Sequence, residues 1–201
     1  MKISHFKYFF IGLSACSIIA CTSAPSEQSE TVAEISSPEK TTESSTGSWL
    51  MALMDKDPLS EAAYLALPPD QLQGFSLLSK EPHPSLNGFI AFYAAKDGSD
   101  QPGIRLEVID GAGNPHFQHA NAVYNLLEKK RNESGDDFES EVKDHKGERV
   151  LVVSKTKNGQ QSHQLEYLQN QRYHLGIIGN QVGLDQIYGA FEELQSQPFP
   201  R

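Results

Sequence analysis

RVLVVSKTKNGQQSHQLEYLQNQRYHLGII, residues 149–178, is the stretch that decides the fold. Arg149 to Lys155 is a β-branched run of strand type, and Asn158-Gly159 is the dipeptide that a two-residue type I′ hairpin demands. His163 to Leu168 and Arg172 to Ile178 then form a second close hairpin around Asn170. Three strands in a row joined by tight turns must pair antiparallel. Upstream, Asp137 to Lys143 alternates with Phe138 and Val142 inward, adding a fourth strand. Downstream, Leu184, Ile187, Phe191 and Leu194 recur at helical spacing and predict a closing amphipathic helix.

The same pattern extends towards the N-terminus. Gly103 to Asp110 sets Ile104, Leu106 and Val108 on one face, with Arg105 and Glu107 on the other. Phe75 to Lys80 and Gly88 to Ala95 are two further strands, separated by Pro82-His83-Pro84. Asn114-Pro115 provides an N-cap and a first helical position, and the helix it opens carries Lys129, Lys130 and Arg131 in its last turn, where cations complement the dipole. On that helix Phe117, Ala120, Val123, Tyr124, Leu126 and Leu127 fall on one arc. Asp57-Pro58 opens an earlier short helix, stopped by Pro68-Pro69. The expected fold is α+β: a mostly antiparallel, meandering sheet of about six to seven strands with helices packed on one face.

The chain has 201 residues and a net charge of −9, so phosphate is repelled and a nucleic-acid partner is not expected. Its two cysteines, Cys16 and Cys21, both lie near the start, which rules out disulfides or thiol catalysis in residues 49–201. Lys2 and Lys7 precede an uncharged run from Tyr8 to Ala20, too short to span a bilayer but suited to the apolar region of a signal peptide.

Leu13-Ser14-Ala15-Cys16 and Ile18-Ile19-Ala20-Cys21 both resemble the lipobox of bacterial lipoprotein signal peptides. The resemblance implies that residues 1–20 are removed and that Cys21 carries the lipid, with Cys16 as the alternative. Cleavage before Cys21 leaves the fuller apolar region and a polar arm beginning Thr22-Ser23. Thr22 is not the aspartate that in this class retains a protein at the inner membrane. The implied location is therefore the cell envelope, at the outer membrane facing the periplasm if the organism is Gram-negative. Residues 21–48 follow as a tether rich in Ser, Thr and Glu, which cannot bury enough apolar surface to order itself. As a flexible coil it would reach about 30 Å. Residues 49–201 form one α+β domain; Leu67-Pro68-Pro69, Leu72 and Gly74-Phe75 leading into the sheet resemble small envelope lipoprotein domains.

For chemistry, Asp110 ends a strand, Gly111-Ala112-Gly113 makes a loop, and His116 and His119 open the next helix. Histidines at i and i+3 share a face, and with Asp110 they are candidates for a three-ligand divalent metal site. Their other reading is two semi-buried histidines inside that helix's apolar arc. No GxSxG, Walker A or HExxH pattern occurs. Trp49, Leu50, Met51, Leu53 and Met54 form an apolar segment where tether meets domain, a candidate partner-binding surface. Arg172 and His174 share one face of their strand, with His163 expected nearby. Two functions follow: a non-enzymatic, membrane-anchored envelope lipoprotein with no cofactor, binding a protein partner or envelope component, or a metal-binding module or metal-dependent hydrolase using Asp110, His116 and His119.

Overall fold

The computed structural model describes residues 46–95, 102–114, 116–129 and 132–200. The signal segment, Cys16, Cys21 and nearly all of the tether lie outside the described residues. The chain opens with α1 (Thr46–Met54) and the short α2 (Glu61–Leu65). Strands β1 (Gln71–Leu72), β2 (Phe75–Pro82), β3 (Gly88–Ala94) and β4 (Gly103–Asp110) then meander. Helix α3 (Phe117–Lys129) carries the chain to the far edge. There β5 (Glu133–Gly135), β6 (Phe138–His145), β7 (Glu148–Lys157), β8 (Gln160–Gln169) and β9 (Tyr173–Asn180) meander back, before α4 (Leu184–Gln195).

All pairings are antiparallel, and the order is β1-β2-β3-β4-β9-β8-β7-β6-β5. The two meanders therefore meet where β4 pairs with β9, in the interior of one nine-stranded sheet. The mixed α+β class is as expected, but among the described residues the sheet has nine strands and not six to seven. The two unforeseen ones are β1 and β5, of two and three residues, too short to show an alternation.

The helices do not pack on one face. On one side of the sheet, Ile187, Ala190, Phe191 and Leu194 of α4 and Tyr64 of α2 join Phe89, Leu106, Val150, Val152, Tyr167 and Ile177. On the other, Ala120, Val123 and Leu127 of α3 and Leu53 of α1 join Leu151 and Leu168. Successive side chains on a strand alternate sides, so Val150 and Val152 feed one core and Leu151 the other. The unbroken run Val150 to Val153 is what a strand covered on both faces looks like.

Local chemistry explains the boundaries. Ser60, not Asp57, caps α2, its Oγ accepting the Ala63 N–H at 3.3 Å. Asn158 and Gly159 have φ of 53° and 75°, the left-handed pair a type I′ turn requires. On α3, Leu126 stays 38% exposed, although it falls on the apolar arc.

Candidate functional site

Strand register assembles a site that sequence spacing does not show. On the α3 side of the sheet, Ile90, Glu107, Gly176 and Glu166 lie side by side across β3, β4, β9 and β8. The next row is Phe92, Arg105, Ile178 and Gln164. On the other flank, His174 stands between Ile109 and Leu168. Gly176 thus puts a gap between two carboxylates: a Cβ built there would meet nothing nearer than the Glu107 Cβ at 3.8 Å.

Two hydrogen-bonded chains border this gap. In the first, the His83 Nδ1 accepts the Ser85 and Leu86 N–H groups at 3.3 and 3.0 Å. The proton is therefore on Nε2, which donates to Glu107 Oε1 at 2.9 Å. The other Glu107 oxygen pairs with Arg105 Nη2 at 2.8 Å. In the second chain, His119 Nε2 on α3 lies 2.9 Å from His174 Nδ1 on β9. His174 Nε2 is buried without a hydrogen bond, and its nearest anion is Glu166 Oε2 at 3.5 Å. At that distance the contact is electrostatic. Gln164 Nε2 donates to the second Glu166 oxygen.

Burial, reinforced by the facing His174, lowers the His119 imidazole to about 4, with Glu107 and Glu166 pulling the other way. For Glu166, burial works upward, but His174, Gln164 and His119 outweigh it and hold the carboxyl below its usual range. The result is a half-buried, ionised patch whose geometry is fixed by four strands and one helix.

The residues singled out in the sequence are distributed differently from expectation. Asp110 does not join His116 and His119 in a ligand set. It is buried and takes both Arg172 Nε at 2.7 Å and Nη2 at 2.8 Å, plus the Leu59 and Ala112 N–H groups at 2.9 and 3.0 Å. His116 is half-buried in the loop entering α3, and only His119 reaches the polar network. Among the described residues, no group of three or more His, Cys, Asp or Glu is arranged to hold a metal ion. Arg172 likewise faces Asp110 and not solvent, while His174 turns under α3.

His163 points to the opposite side of the sheet from His174. There it accepts or donates at 2.8 Å to Ser154 Oγ, its register partner, on the floor of a polar cleft of about 470 Å³ that also touches Glu139, Thr156, Gln161 and Leu184. Of the apolar segment at the domain's start, Leu53 is buried, Trp49 packs edge-on against Tyr124 at 5.4 Å, and Leu50 and Met54 are half-buried. Met51 alone projects, at 61% exposure.

Glu107 and Glu166 were missed because alternation marks them only as the polar side of their strands, and His83 because it lies in the connection between β2 and β3. The available signal was Gly176, a glycine inside a strand, which marks close approach or open space. No protein-family model, curated protein or solved structure matches the chain. Among the described residues no helix is long and apolar enough to cross a membrane.

Proposed function

We propose that the chain is a non-enzymatic cell-envelope lipoprotein, held by a lipid on Cys21 and by the residue 21–48 tether, whose α+β domain binds a protein partner or another envelope component. In a Gram-negative organism it would stand on the outer membrane and face the periplasm. The binding face is the part of the sheet beside α3. The observation that carries this reading is the row Phe92–Arg105–Ile178–Gln164, where Phe92 is 37% exposed among anchored charges. Leu78, the extra residue of a β-bulge opposite, is 55% exposed and widens the apolar centre. An apolar centre ringed by polar groups on a rigid sheet is the anatomy of a protein-binding surface.

The metal reading asks Asp110 to leave Arg172, which would strand a buried guanidinium. The binding reading requires no such rearrangement. A photo-crosslinking residue placed at Phe92 or Leu78 in intact cells should give one discrete adduct, and one at Lys157, on an exposed strand end, should give none. Absence of any adduct from both Phe92 and Leu78 rejects this face.

A further inference from the structure

We propose that His119 and His174 form a proton-operated latch, which clamps the first turn of α3 onto the binding face and opens when both rings are protonated. The inference deepens the binding reading, on which it rests only for its consequence.

The pair joins elements 55 residues apart, α3 and β9, through one nitrogen-to-nitrogen hydrogen bond of 2.9 Å. Such a bond needs one ring nitrogen with a proton and one without. With both rings doubly protonated, two N–H groups point at each other across 2.9 Å, and two positive charges share a half-buried site. Attraction then becomes repulsion.

The surrounding charges decide where protons settle. Facing His119 are His174 from β9, Glu166 from β8, Glu107 from β4 and His83 from the loop between β2 and β3. Glu107 already serves His83 and Arg105. Glu166 is the anion nearest His174, 3.5 Å from its Nε2, and its other oxygen takes the Gln164 amide. For a second proton, on His119, the carboxylates among the described residues that act on it are Glu107 and Glu166, both already engaged. Burial and the facing His174 hold His119 down to about 4, so its protonation waits for acid.

What opens is local. Ala120, Val123 and Leu127 bury the following turns of α3 against Leu151 and Leu168, and protonation does not touch them. Release of the His119 turn uncovers the row Glu107–Gly176–Glu166, where Gly176 adds no side chain between the two carboxylates.

The test is hydrogen exchange on the full-length chain, read by mass spectrometry at pH 7.5 and at pH 4.5 and corrected for intrinsic rates. The segment 116–120 should lose protection at least tenfold more than residues 187–194 of α4. In His119→Gln and His174→Gln that excess should vanish, while His163→Gln, on the opposite face, should keep it. Equal loss in α3 and α4 means global unfolding and overturns the latch. So does an excess that persists in both glutamine variants. The native chain alone supplies the first criterion where a variant does not fold. Crosslinking from Phe92 reads the binding face separately, so either can fail without the other.

Discussion

Asp110 and Arg172, 62 residues apart, meet through two parallel hydrogen bonds of 2.7 and 2.8 Å, with both side chains closed off from water. The pair reinforces the end of the β4–β9 pairing, where Asp110 is the register partner of Tyr173, and ties the segment between α1 and α2 to it. Asp110 closes β4 and also holds the Leu59 N–H, while Arg172 enters β9 and reaches the Asp57 carbonyl at 3.2 Å. The guanidinium also lies over the Tyr173 ring, 4.9 Å from its centroid.

Breaking this pair from one side leaves a buried charge. Asp110→Asn and Arg172→Met should each destabilise the domain by about 3–5 kcal/mol. The double variant leaves no lone charge, although its amide keeps one acceptor oxygen where Asp110 uses Oδ2 for the Leu59 N–H and Oδ1 for the Ala112 N–H. It should fall short of the summed singles by about 1–3 kcal/mol. Urea unfolding of the four proteins checks this, and strict additivity would mean that the pair carries no coupling.

Two strand glycines should respond in opposite ways to alanine. At Gly176 the new methyl meets only open space and the Glu107 Cβ at ordinary contact distance. Gly176→Ala should therefore stabilise by about 0.4–1 kcal/mol, by restricting the unfolded chain. At Gly88 the methyl would lie 2.0 Å from the Val108 carbonyl oxygen, which is backbone and cannot swing away. Gly88→Ala should cost more than 3 kcal/mol or abolish folding. Thermal melts of both variants decide it; a destabilised Gly176→Ala would show that the gap is filled.

Stability should fall with acid already in the histidine range, where Glu148, raised by burial, acts in the opposite direction. Folding lowers His119 from 6.5 to about 4, so between those values the unfolded chain binds the proton more tightly. Its contribution is complete above pH 6.5 and is lost as pH falls towards 4. Glu166, also depressed, contributes fully above its ordinary 4.5 and loses that contribution only below it. A decline in the urea midpoint between pH 6.5 and 5 therefore belongs to the histidine. It should flatten in His119→Gln; an unchanged slope there assigns the decline elsewhere.

These effects show what was legible in the sequence. Strands from Phe75, Gly88, Gly103, Phe138, Arg149, His163 and Arg172 were visible because half-buried strands alternate, and Asn158-Gly159 because few dipeptides accept two left-handed residues. The second helical layer was written in Val150 to Val153, but a short apolar run does not say how many faces are covered. The Glu107–Gly176–Glu166 row was hidden for another reason. It depends on which strands become neighbours, and β4 pairs with β9 only because the second meander returns to the centre. Asp110 looked like a ligand beside His116 and His119 because sequence nearness was the only geometry available. Its partner stood 62 positions away.

The anchor can be tested without knowing any ligand. If Cys21 carries the lipid, Cys21→Ala loses both the modification and the cleavage that depends on it, leaving only the uncharged run Tyr8 to Ala20 as an apolar segment. That run is shorter than the roughly 20 residues needed to span a bilayer. Stable attachment takes at least two acyl chains, so the variant should shift from the detergent phase to the aqueous phase on Triton X-114 partition. On the same reading Cys16 would be discarded with residues 1–20, so Cys16→Ala should partition like the native chain. The reverse pattern would move the lipid to Cys16 and lengthen the tether by five residues, carrying Ser17, Ile18, Ile19 and Ala20 with it. Two apolar isoleucines beside the anchor would then lie at the membrane surface, and the polar arm would begin only at Thr22.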